Sequence, residues 1–150
     1  MIINNVFKAF NDYVDGLDPE MLEDMSRLHI LREFKTLRFS YGRQTGVTTW
    51  ICKQLEENYP NGESIMICPT LAMKQYVISR MFKSDSPYVF SVDQAIAHLE
   101  HVLICKVVHD QDFYSKLKYV FIDESSLIKS DDLKKLTELL SAFDVRLMLL

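Results

Sequence analysis

The chain has 150 residues, 48% hydrophobic and 25% charged, with a formal net charge of -4, enough for one domain with a substantial core. This composition excludes a long disordered segment, and the acidic balance excludes a surface that is basic throughout, so any contact with nucleic acid must be local or supplied by a partner. Cys52, Cys68 and Cys105 are odd in number and form no C-x-x-C pair, which points to free thiols in a reducing compartment, and no apolar stretch reaches the length of a membrane span.

In chain order, residues 5–16 place Val6, Phe7, Phe10, Tyr13 and Val14 on one helical face, and Gly16 ends the run. Asp18-Pro19-Glu20 starts a second helix with a capping acid, a proline in the first turn and an acid at the positive end of the dipole. Its apolar positions are Met21, Leu22, Met25, Leu28, Leu31 and Phe34. A helical segment over 1–36, packed on an α/β domain over 37–150, is the expected organisation.

From Leu37 the rhythm becomes strand, helix, strand. "TLRFSYG" reads as a strand entering a glycine loop, and Thr48 to Tyr59 as a helix. "SIMICP" is apolar enough for a buried parallel strand, and Thr70 caps the helix after it. A brief strand in "YVFS" leads to a Ser91-x-x-Gln94 capping box. "VLICKVV" is strand-like but ambiguous, "KYVFIDE" is a clear strand, Ser130-Asp131-Asp132 opens a helix, and "VRLMLL" closes the chain as a strand. Apolar strands alternating with helices predict an α/β fold, a parallel sheet covered by helices on both faces.

Two motifs sit where such a sheet would place a ligand. The loop Gly42–Thr49, between a strand and a helix start, offers free backbone N–H groups and a positive helix terminus to a phosphate. "YVFIDESS" ends an apolar strand in two carboxylates. That is the Walker B pattern, in which Asp123 would hold Mg²⁺ and Glu124 would orient or deprotonate the attacking water. A doubly wound domain whose loop glycines only make turns is the plain alternative. His98 and His101 lack a third ligand, and Tyr114, Tyr119, Phe113 and Phe121 read as core or interface rather than base-stacking platforms. Met66, Met73 and Met81 read as core fillers.

With these residues in view, "GRQTGVTT" resembles the Walker A loop of phage large-terminase ATPases and related helicases, with Gly42, Arg43, Gln44, Thr45, Gly46, Val47, Thr48 and Thr49 in the loop positions. "IMICPTLAMKQYVISRM" is similar to the segment after the second strand of superfamily-two helicases and terminases, "YVFIDESSLI" to their Walker B, and "VRLMLL" to the strand preceding a threonine-bearing coupling motif. The resemblance covers roughly residues 37–150. It implies a RecA-type P-loop core of the additional-strand, catalytic-glutamate branch, with ATP and Mg²⁺ as cofactors. Thr48 and Asp123 would be Mg²⁺ ligands, Glu124 the catalytic carboxylate and Arg43 a sensor of the γ-phosphate. It also implies that the "VRLMLL" strand inserts between the Walker A and Walker B strands.

Val47 stands where that loop carries lysine. Losing the lysine's charge-assisted hydrogen bond costs on the order of 2 kcal/mol of binding, roughly thirtyfold in affinity. Losing one donor to the transition state costs ~10²–10³ in rate. A valine side chain is also expected to lie where phosphate oxygens would be. The expected function is therefore a degenerate terminase- or helicase-like domain with weak or no hydrolysis, part of or a regulator of a phage DNA-processing ATPase. The alternatives are a partner-activated motor ATPase working on nucleic acid and a nucleotide-independent protein-binding scaffold. Expected partners are a larger ATPase or phage complex, with nucleic acid engaged through a further domain or partner, and the expected location is the cytoplasm.

Overall fold

Short runs of apolar and β-branched residues build the sheet that orders the rest of the chain. The computed structural model describes residues 1–42, 45–82, 85–105 and 114–150. Its strands are β1 (Thr36–Arg38), β2 (Ser64–Cys68), β3 (Val89–Ser91), β4 (Tyr119–Ile122) and β5 (Arg146–Leu149). All pair in parallel, in the order β1-β5-β4-β2-β3. β5 thus lies between β1 and β4, the insertion expected for the "VRLMLL" strand. Every residue of β2 and β4 is buried, as central parallel strands require.

Strand alternation sorts the side chains into two cores. Met66, Cys68, Tyr119, Phe121 and Met148 face the first, with α1 (Ile2–Asp15), α4 (Val47–Lys53) and α5 (Leu71–Met81). Ile65, Ile67, Val120, Ile122, Leu147 and Leu149 face the second, with α3 (Arg27–Phe34), α6 (Val92–Cys105) and α7 (Ser130–Leu140). The fold is α/β, a parallel sheet with helices on both faces.

Helix α1 is part of the first core. Ile3, Phe7, Phe10 and Val14 recur at helical spacing and are buried. Phe7 meets the rings of Trp50, Tyr59, Tyr119 and Phe121 at centroid distances of 5.1–6.1 Å. Polar anchors fix the helix at both ends: Trp50 Nε1 donates to Asn4 Oδ1 at 2.7 Å, and Tyr119 Oη donates to Asn11 Oδ1 at 2.7 Å. Arg146 adds hydrogen bonds to Asn11 and Asp15.

Several boundaries differ from the sequence reading. The helix expected from Asp18 to Phe34 is two, α2 (Pro19–Leu22) and α3. Ser26 starts the second, its hydroxyl accepting from the His29 N–H at 3.1 Å, a local cap that competes with helix continuation. The strand expected over 36–42 ends at Arg38. The helix expected from Thr48 to Tyr59 begins at Val47 and widens into a π-helical turn over Gln54–Asn58. Val102 to Cys105, the start of the ambiguous "VLICKVV", ends helix α6, and 106–108 lie outside the described residues. The capping box is present: Gln94 N–H donates to Ser91 Oγ, and Ser91 N–H to Gln94 Oε1.

Candidate functional site

The ligand-bearing rim of a parallel sheet is where its strands end, and both motifs lie there. Past β1, the Phe39 N–H still donates to Leu149 O, and the chain continues through Tyr41 and Gly42 without regular structure. Past β4, the Asp123 N–H donates to Ile67 O and the Ser125 N–H to Leu150 O. These backbone bonds hold residues 39–42 and 123–125 on either side of the end of β5.

Side chains close the gap. Thr48, one residue into α4, donates from Oγ1 to Asp123 Oδ2 at 2.8 Å. Tyr41 donates from Oη to Asp123 Oδ1 at 2.8 Å. Asp123 is 3% exposed, and a carboxylate taken that far from water needs such charge-assisted donors. Tyr41 titrates well above an ordinary phenol, because burial disfavours its anion and the Asp123 charge beside it adds to the effect. Burial also pushes the Cys52 and Cys68 thiols up to about 12, with Asp123 contributing.

Gly46 caps α4 in the left-handed region at φ 79°, a conformation that glycine takes without steric cost. A Cβ there would also meet the Met1 side chain at 3.9 Å, so α1 begins directly against the loop. Glu124 holds φ 51°, an uncommon conformation for a side chain of its size and a form of local strain typical of functional positions. It lines a cleft of about 380 Å³ with Ser40, Tyr41, Gly42, Ser125 and Arg38.

The sequence-predicted residues divide accordingly. Thr48 and Asp123 come together, and Gly42 and Glu124 share the cleft. Thr45 and Gly46 form the bend before α4. Thr49 turns toward α5, its hydroxyl 4.0 Å from Met81 Sδ. Arg43, Gln44 and Phe113 lie outside the described residues. Val47 corrects the expectation that its side chain occupies the phosphate position: it is 3% exposed and packed in the first core. Tyr41 is the site residue the sequence reading missed, and its only signal was a hydroxyl just before the glycine loop.

The donor set suits Mg²⁺ in one respect. A hydroxyl and a carboxylate lie side by side, as for an ion held chiefly by phosphates and water. Among the described residues no group of three His, Cys, Asp or Glu side chains gathers as a protein metal site. His98 packs, stacked on Phe90 with its Nδ1 2.6 Å from Tyr114 Oη. Among the described residues no helix is long and apolar enough to cross a membrane. No family model, curated protein or solved structure matches this chain.

Proposed function

We propose that the chain is a P-loop-type nucleotide domain that holds Mg-ATP weakly and does not turn it over, working as a component or regulator of a larger DNA-processing ATPase of the phage terminase type. The observation that carries this reading is the state of Asp123: both carboxylate oxygens accept hydrogen bonds from hydroxyls, Thr48 on one side and Tyr41 on the other. The pairing of a loop threonine with an acid at a strand end supports phosphate-loop geometry. The second hydroxyl occupies the oxygen a divalent ion would need.

The loop residues would bind the phosphates through the backbone N–H groups at 45–48, and Thr48 and Asp123 would hold Mg²⁺ once Tyr41 withdraws. Bound there, Mg²⁺ would supply charge neutralisation at the phosphates. Val47 supplies no cation to the phosphates, and without the lysine the developing charge lacks a donor worth ~10²–10³ in rate. Glu124 in the cleft favours a second reading, in which a partner inserts the missing cation and turns the site on.

Calorimetric titration of the purified chain with Mg-ATP tests the proposal. Expected is a dissociation constant of about a millimolar, roughly -4 kcal/mol, weakened at least fivefold by Thr48→Ala. Absence of any heat at saturating Mg-ATP overturns it in favour of a nucleotide-independent scaffold.

A further inference from the structure

Beside the cleft, on the second face of the sheet, runs a trough of about 440 Å³ between α3, β1 and α7, lined by Arg32, Thr36, Arg38, Lys134, Thr137 and Leu149, with Ser130 and Leu133 completing it. Three cations from three different elements converge on it, and no carboxylate lines it. The acids of the first turn of α7, Asp131 and Asp132, are not among its walls. The side chains of Arg32, Arg38 and Lys134 belong to exposed residues and form no ion pair or hydrogen bond among the described residues.

That arrangement is unusual in a chain with a net charge of -4. Five described cations elsewhere pair with acids, Lys8 with Asp12, Lys35 with Asp144, Lys53 with Glu57, Lys135 with Glu100 and Arg146 with Asp15. What sets the trough apart is that three cations unpaired among the described residues share one wall without a carboxylate. Like charges brought together without a counter-charge repel, and the repulsion is relieved by an anionic ligand. Of the hydroxyls on the wall, those of Thr36 and Thr137 already donate to Leu31 O and Leu133 O, which leaves Ser130 as the hydroxyl donor to a phosphate oxygen.

The shape selects among anions. The trough shares Arg38, Ser130, Leu133 and Leu149 with the cleft, so the two cavities adjoin. Cations drawn from three elements along a trough suit a series of phosphates better than one compact anion. We propose that this trough binds the phosphodiester backbone of single-stranded nucleic acid, with Arg32, Arg38 and Lys134 as the phosphate contacts. The contact does not depend on nucleotide in the loop.

The test is fluorescence anisotropy of labelled oligo-dT of about 20 nucleotides, titrated with the full chain at about 50 and 200 mM salt. Neutralising three single-strand phosphates predicts a salt slope near -2, a loss of affinity of about twentyfold between those concentrations. Arg32→Ala/Arg38→Ala/Lys134→Ala is expected to weaken binding at low salt at least tenfold. Arg32→Lys/Arg38→Lys, which keeps the charges, is expected to stay within about threefold, since backbone contacts need charge more than geometry. Lys8→Ala/Lys53→Ala/Arg80→Ala, which removes as many charges from helices of the first face, should change binding less than about twofold. Absence of oligo-dT binding by the wild type at low salt overturns the proposal. Equal losses in the two alanine triple variants, or binding of inorganic tripolyphosphate without oligo-dT, overturn it as well.

Discussion

Thr48 Oγ1 lies 2.8 Å from Asp123 Oδ2, although 75 positions separate the two residues. The bond ties the start of α4 to the end of β4, and with Tyr41 on the other oxygen it makes Asp123 the joint of the rim. Thr48→Val and Tyr41→Phe each remove a hydrogen bond to a buried charge. Urea unfolding should show losses of about 1.5–3 kcal/mol for each. A change under about 0.5 kcal/mol in both would show that Asp123 does not depend on these donors.

Val47 belongs to the core, so Val47→Lys, which places lysine where the proposed phosphate loop would carry it, is expected to destabilise the chain. Burying an ammonium without a partner is costly, and a fall in stability of at least about 2 kcal/mol is expected, with no gain in Mg-ATP affinity. A variant of unchanged thermal midpoint that binds Mg-ATP thirtyfold more tightly would show that the side chain reaches the phosphates after all.

Glu124 sits at φ 51°, where glycine is relieved of steric strain. Glu124→Gly should therefore raise stability by up to about 1 kcal/mol while removing the candidate catalytic acid. Loss of stability instead would mean that contacts of the Glu124 side chain outweigh the backbone strain.

How much of this was legible follows from which interactions are local. The strands and capping residues Thr70, Ser91 and Asp18 could be read because each signal lies within a few residues of its effect. The convergence of the glycine loop and the Asp-Glu strand end was also legible, because parallel strands deliver their C-terminal ends to one rim. The break at Ser26 was not, since Met25, Leu28 and Leu31 continue the apolar pattern across it. Val47 is buried in one cluster with Phe7 and Ile3 of α1, which lie 40 and 44 positions away. Tyr41 was unreadable for the same reason, because its partner lies 82 residues on.

The Cys52 and Cys68 thiols, pushed up to about 12 chiefly by burial, should react with iodoacetamide at pH 8 far more slowly than free cysteine. Only the thiolate attacks, and at that pH about one molecule in ten thousand of each carries it. Unfolding in urea should release both to the ordinary rate. Full modification of the folded chain within minutes would contradict their placement in the core.

The Lys35 ammonium donates to Asp144 at 2.7 Å and holds its carboxyl below the usual value of 3.8. A carboxyl lowered on folding stabilises the folded state above its unfolded value, and that contribution disappears as pH falls through the folded value. Stability should therefore fall below about pH 4, and Asp144→Asn should flatten part of that decline. Identical acid limbs for the two proteins would contradict the pairing.

Phosphate release by the purified wild type and Glu124→Gln, followed side by side at saturating Mg-ATP, probes the account where it is most exposed. A rim whose acid is already bonded by two hydroxyls and whose loop carries valine at 47 predicts two traces that coincide at the uncatalysed background. Turnover on the order of 1 s⁻¹ by the wild type, lost in Glu124→Gln, would mean that the site is a working motor and that Tyr41 and Val47 have been misread.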